Sequence, residues 1–268
     1  MHDLPLVIFT ILSQLVIGGF VTLWWLDRKK CPISRQSGLM ISISLVVLGA
    51  ISVLISLLHL GHPFEAYRAI LNIGVSWLSR EVTFYGMFVG LSVLYTWFWL
   101  KDEAGKRSLI GGIASAIGVI AIFSSAKIYM IPAIPAWNSV TTLFSFFLTS
   151  LILGPLFVGA FLAIRGELSA NISGISITAL IAAAIVMVVY FSSLQGGLPQ
   201  AVEAARLTTH QLLFWIRLFT FVIAFAILTF TFKNQYKQNN IIYSLVFVIL
   251  FVSEFLARFQ FYETAIHL

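Results

Sequence analysis

A single cysteine, Cys31, occurs among 268 residues. One thiol cannot close a disulfide within the chain, ligate an iron–sulfur cluster alone or supply a CxxCH haem attachment, so any such centre has to reside in a partner. Charge is equally scarce, with Asp, Glu, Lys and Arg at 10% of the residues against 60% hydrophobic. Soluble domains carry about 25% charged residues. That deficit, with a mean hydropathy of +1.00, excludes a water-exposed globule and makes a bilayer the expected solvent.

Backbone groups in hydrocarbon must be satisfied within their own segment, so a span is a helix of about 20 apolar residues covering roughly 30 Å. Eight segments qualify, approximately 4–26, 38–60, 81–100, 108–131, 140–164, 170–194, 211–232 and 240–262. They predict an all-α, polytopic membrane protein of eight transmembrane helices, organised as one integral-membrane anchor domain over 1–268. The first span has no basic residue ahead of it and the cluster DRKK behind it, so it is expected to stay as a helix and not to be cleaved as a signal peptide.

Lys and Arg in short loops resist translocation and mark the cytoplasmic side. The segments 27–37, 101–107, 165–169 and 233–239 hold ten of the sixteen basic residues, against four (Arg68, Arg80, Lys127 and Arg206) at the opposite ends; Arg217 and Arg258 lie inside spans. The asymmetry predicts an N-out, C-out topology in the cytoplasmic (inner) membrane. It also accounts for the net charge of +6 without a nucleic-acid site.

The ionisable groups gather at the outer ends of the spans. All five histidines, His2, His59, His62, His210 and His267, fall at or beyond those ends, Glu81 opens the third span, Arg217 lies about two turns inside the seventh, and Glu254 and Arg258 occupy the outer half of the eighth. Each such group costs at least about 2.5–3.5 kcal/mol at mid-membrane, which points to a pocket lined by paired groups. Blander readings stand beside this. Glu254 and Arg258, spaced i,i+4, can neutralise each other. Lys127 can snorkel. Glu81, following Ser79 as an N-cap, can stabilise the helix dipole. Gln14 can serve as an interhelical hydrogen-bonding group. The tryptophans of TWFWL and PAWN are simplest as interfacial anchors, and His62, between Gly61 and Pro63, as a loop residue.

A faint repeat suggests a parallel four-plus-four helix arrangement. Residues 58–70 read LHLGHPFEAYRAI and 194–207 read LQGGLPQAVEAARL, each passing through Gly-x-Pro and then Glu-Ala-x-Arg. Both connections are then expected to be short surface helices, with Glu65–Arg68 and Glu203–Arg206 as i,i+3 pairs forming a docking platform.

Three chemistries use polar groups in one leaflet. A b-type haem needs histidines on facing helices within the spans, where none occurs, although one outer haem on His59 and His210 is conceivable. A proton-coupled transporter needs a polar route through both leaflets. Quinol oxidation needs a lipid-facing slot, partners for two hydroxyls and a base that passes protons to water, and His59 and Glu81, flanking one connection, suit it best.

Four stretches then carry a resemblance: HDLPLVIFTILSQ at 2–14, HLGHPFEAYRAILNIGVSWLSREV at 59–82, KIYMIPAIPAWNS at 127–139 and SEFLARFQFY at 253–262. They resemble the membrane-anchor (C) subunit of dimethyl sulfoxide reductase-type molybdoenzymes. The resemblance implies an eight-helix anchor with no haem, iron–sulfur cluster or metal of its own. Such anchors oxidise menaquinol near the outer face and pass electrons to an iron–sulfur subunit, which feeds a molybdopterin catalytic subunit docked on the extracytoplasmic side. His59 and Glu81 match the family's menaquinol residues, while Gln14, Arg217, Glu254 and Arg258 are expected to shape or polarise the slot. Glu65 and Lys127 depart from basic residues and from Arg in relatives, which bears on partner docking. The competing expectations are a transporter and a passive anchor without quinol chemistry.

Overall fold

In a computed structural model the described residues are 4–29, 33–58, 68–168, 170–233 and 240–266, and they form helices without strands. In sequence order these are α1 (Leu4–Arg28), α2 (Arg35–Leu58), α3 (Arg68–Leu71), α4 (Trp77–Lys101), α5 (Ala104–Tyr129), α6 (Val140–Ile164), α7 (Ala170–Gln195), α8 (Pro199–His210), α9 (Leu212–Lys233) and α10 (Asn240–Glu263). Eight of them, all but α3 and α8, are long and apolar enough to cross a membrane, as the hydropathy pattern predicts.

Two spans form the centre. The apolar windows of α1 and α6 are 78% and 72% buried, whereas that of α9 is only 17% buried and so faces lipid over most of its surface. Apolar burial cannot drive helices together in lipid, so close packing has to. The means is glycine: a Cβ on Gly18 would overlap the Ser150 carbonyl oxygen, and one on Gly154 would overlap the Gly18 backbone. Around this crossing the two halves have the same neighbour order, α1–α2–α4–α5 closing back on α1 and α6–α7–α9–α10 closing back on α6.

We call the end where α1 begins and α10 stops the near end. At the far end, Arg107 donates from Nε and Nη2 to the two carboxylate oxygens of Asp27, each at 2.8 Å, and its guanidinium lies 3.8 Å from the Trp99 ring centre. This clamp joins α1, α4 and α5. Asp27→Asn should lower the stability of the assembled protein by about 3 kcal/mol, since breaking a buried pair leaves a charge behind. Asp102, 3.7 Å from Arg107, keeps the loss at the lower end of that range, and thermal inactivation in detergent measures it. Nearby, Glu167 accepts from the Ser34 N–H at 2.9 Å and the Ser37 hydroxyl at 3.0 Å. Partial burial works to raise its pKa, but these bonds hold the carboxyl below its ordinary value.

The structure revises two expectations. The third span starts at Trp77, and Ser76, not Ser79, is the N-cap, its side chain accepting from the Ser79 N–H at 3.3 Å. Trp77 and Leu78 fill the first turn. Glu81 therefore lies beyond the first turn, and helix capping does not explain it. Among the tryptophans, Trp97 is exposed as an interfacial anchor would be, but Trp99 and Trp137 are buried. Trp99 stacks under Arg107, and the Trp137 indole donates to the Phe261 carbonyl at 2.8 Å, so polar partners inside the bundle outcompete the interface. At the near end, α8 is the expected short helix, with Arg206 bound bidentately to Glu203 at 2.8 Å and 2.8 Å. His59, His62 and Glu65 lie outside the described residues, and with them the expected Glu65–Arg68 pair.

Candidate functional site

Each half of the bundle encloses a polar cavity toward the near end. In the first half, α1, α4 and α5 surround a void of about 10 Å³ lined by Ser13, Gln14, Glu81, Tyr85 and Ser125, room for about one water molecule. Glu81 is 6% exposed. No hydrogen bond of normal geometry reaches its carboxylate from the described residues, although the Ser125 hydroxyl is beside it. The Ser125 hydroxyl and the Gln14 amide nitrogen are themselves buried without partners. Tyr85, by contrast, is fixed by a 2.6 Å bond to the Ser52 hydroxyl. The void therefore offers a carboxylate and two unfilled donors, a set suited to a hydroxyl or a water and to proton acceptance.

In the second half, α6, α7, α9 and α10 enclose a cavity of about 100 Å³, whose polar lining includes Thr149, Tyr190, Arg217, Glu254, Arg258 and Gln260. Thr149 donates to Glu254 Oε2 at 2.6 Å. Arg258, stacked 3.7 Å from the Phe146 ring centre, donates from Nη2 to Gln14 Oε1 at 2.8 Å. Arg217 faces the cavity, and its guanidinium has no hydrogen bond or ion pair among the described residues; the Ser253 hydroxyl reaches only its backbone carbonyl, at 3.3 Å. The Tyr190 hydroxyl and Gln260 Oε1 are also buried without partners of normal geometry.

The five described candidates thus share one end of the bundle but not one slot. Glu81 and Gln14 line the first cavity, and Arg217, Glu254 and Arg258 line the second. The Gln14–Arg258 bond spans the partition between them, the interhelical role expected of Gln14. Glu254 and Arg258, expected to neutralise each other, form no ion pair within 4 Å among the described residues. Gln14 and the face of Phe146 hold the guanidinium, and the Thr149 hydroxyl, which donates to the carboxylate and accepts from Arg258 Nη2 at 3.5 Å, bridges the two charges. Lys127 sits with its ammonium 5.8 Å from the Trp77 ring centre. His210 ends α8 exposed.

Sequence reading missed Thr149 and Tyr190, and also the buried pair Tyr129 and Tyr262, which are bonded hydroxyl to hydroxyl and lie within coulombic range of both Glu81 and Arg258. Tyr129 and Tyr262 do stand inside the stretches 127–139 and 253–262, which was the available signal. Among the described residues no three His, Cys, Asp or Glu side chains converge as metal ligands would.

Eight candidate spans, with the described candidate site residues gathered at one end, define a polytopic membrane protein. Residues 1–264 match the family model of the DMSO reductase anchor subunit (DmsC), and the chain belongs to that family, the membrane anchors of reductase complexes. Similar proteins include the YnfH subunit of anaerobic dimethyl sulfoxide reductase from Escherichia coli (strain K12), 33% identical over 202 residues, which is 72% of this chain and 70% of the relative. The C subunit of the anaerobic dimethyl sulfoxide reductase of the same organism is 28% identical over 274 aligned positions, covering 97% of this chain and 94% of the relative. Its counterpart in Haemophilus influenzae is 30% identical over 156 residues, 56% of this chain and 54% of the relative.

Proposed function

We propose that this subunit oxidises menaquinol at the near end, where Glu81 and His59 accept the hydroxyl protons. The observation that carries the reading is a buried carboxylate that, among the described residues, has only the Ser125 hydroxyl and the Gln14 amide beside it and no ion pair. A group so placed is costly unless it is used. The void admits a hydroxyl and not a ring, so the ring lies beyond Glu81, toward the connection that carries His59. Loss of two electrons and two protons turns the hydroquinone into the quinone. The electrons pass to an iron–sulfur partner subunit and onward to a molybdopterin catalytic subunit, and the protons leave by Glu81 and His59 to water at the near end. The distribution of Lys and Arg supports an extracytoplasmic placement of that end, with the subunit in the inner membrane as part of the same proposal. Neither half-reaction then moves charge across the bilayer.

Binding tests this directly. Menaquinol fluorescence should be quenched when the purified complex is added, and His59→Leu should weaken that binding about tenfold, the loss of one good hydrogen bond. A passive anchor would leave the fluorescence unchanged, and a transporter would move solute in liposomes without the partner subunits.

A further inference from the structure

The two halves of the bundle carry polar cavities at matching places, one holding the Glu81 carboxylate and the other the Arg217 guanidinium as a charged group without an ion pair among the described residues. Both touch the central helix of their half and the two helices that close the ring behind it, and the second is lined by α7 and by Thr208 of α8 as well. Glu81 is the fifth residue of α4 and Arg217 the sixth of α9, and these helices hold the same position in the neighbour order of their halves. The first cavity thus presents a carboxylate acceptor, and the second a guanidinium whose five N–H donors are unfilled among the described residues.

We infer that the Arg217 cavity is a second site, one that takes a lipophilic molecule through its carbonyl oxygens, namely the oxidised quinone. This rests on the quinol reading above, because it assigns reactant and product to different chambers of one subunit. Hydroquinone hydroxyls donate and suit Glu81, whereas quinone carbonyls only accept and suit Arg217 and the Tyr190 hydroxyl. The cavity holds two cations, Arg217 and Arg258, and one carboxylate, Glu254, already engaged by Thr149, so it attracts oxygen bearing partial negative charge. Its remaining walls, Leu148, Ile152, Val186, Met187 and Phe191 among them, match an apolar ring and tail. About 100 Å³ far exceeds the roughly 10–15 Å³ that one water needs. Neutral carbonyls also fit this depth better than a lipid phosphate, whose full charge would have to be drawn in among those walls. Access from the bilayer is short, since α9, the least buried span, forms one wall.

The experiment is equilibrium binding to the purified complex in nanodiscs, with a short-tailed menaquinone in its oxidised form and separately with its quinol. Arg217→Met should weaken the oxidised form about tenfold or more, as expected for a lost bond to a charged donor, with little effect on the quinol. Glu81→Gln should do the reverse. Tyr190→Phe, a milder change, should weaken the oxidised form about threefold and serves if Arg217→Met fails to assemble with its partners on gel filtration. Wild-type affinity for the oxidised form in both second-cavity variants overturns the proposal. So does an equal loss in the Glu81 and Arg217 variants, which would mean one shared site, or the extraction of phospholipid in place of quinone in proportion to Arg217. Normal quinol turnover in a Glu81 variant would defeat the earlier reading alone, because binding of the oxidised form at Arg217 is read without turnover.

Discussion

Quinol-driven reduction by the complex should fall by about 100-fold or more in Glu81→Gln, the range associated with losing a general base. Reduction supported by an artificial donor, which bypasses the anchor, should persist. The substitution is nearly isosteric, and Glu81 has no hydrogen bond of normal geometry to lose among the described residues, so the bundle has no structural reason to fail. What disappears is the proton acceptor: an amide can hold a hydroxyl but cannot take its proton. Glu81→Asp, with the carboxylate drawn back by one methylene, should recover part of the rate. Steady-state turnover with menaquinol against turnover with the artificial donor separates the outcomes, and an unaltered ratio in Glu81→Gln would remove the residue from the chemistry.

The second large effect concerns the α1–α6 crossing. Gly154→Val should prevent accumulation of the subunit in the membrane, and Gly18→Val should do the same. Overpacking inside a core typically costs about 1–3 kcal/mol when side chains can shift. Here the overlapping atoms are backbone of the facing helix, so relief requires the two central helices to separate, and every other span packs directly or indirectly on them. Gly90→Ala on α4, where an added Cβ meets nothing within 4 Å, is the control and should be neutral or slightly stabilising. Immunoblots of membrane fractions, followed by co-purification with the partner subunits, measure the effect. Normal assembly of Gly154→Val would show that the crossing is not what holds the centre.

The spans were legible because hydropathy over 20 residues is a strong signal, and the candidate end was legible because charged groups stand out against it. Local boundaries were weaker. At α4, Ser79 reads as the cap from the sequence, and only the fold shows that Trp77 and Leu78 are helical, which moves Glu81 out of the first turn. The division into two cavities was not legible, because helix spacing gives depth along a span but not which neighbour a residue faces. Gln14 and Arg258, 244 residues apart, meet only through the packing of α1 against α6 and α10. Thr149 was silent for a different reason. Threonines in apolar helices ordinarily bond the carbonyl one turn back, and Thr149 can do so with Ser145 at 3.0 Å, so nothing in the sequence sets apart its contact with Glu254.

The place where Gly18 and Gly154 bring two backbones together also lies between the near-end chambers and the Arg107 clamp. With no side chains there to part, a file of water has no room to form along the bundle axis. Between these two helices, then, backbone packed on backbone seals the way from the near-end chambers toward the Arg107 clamp.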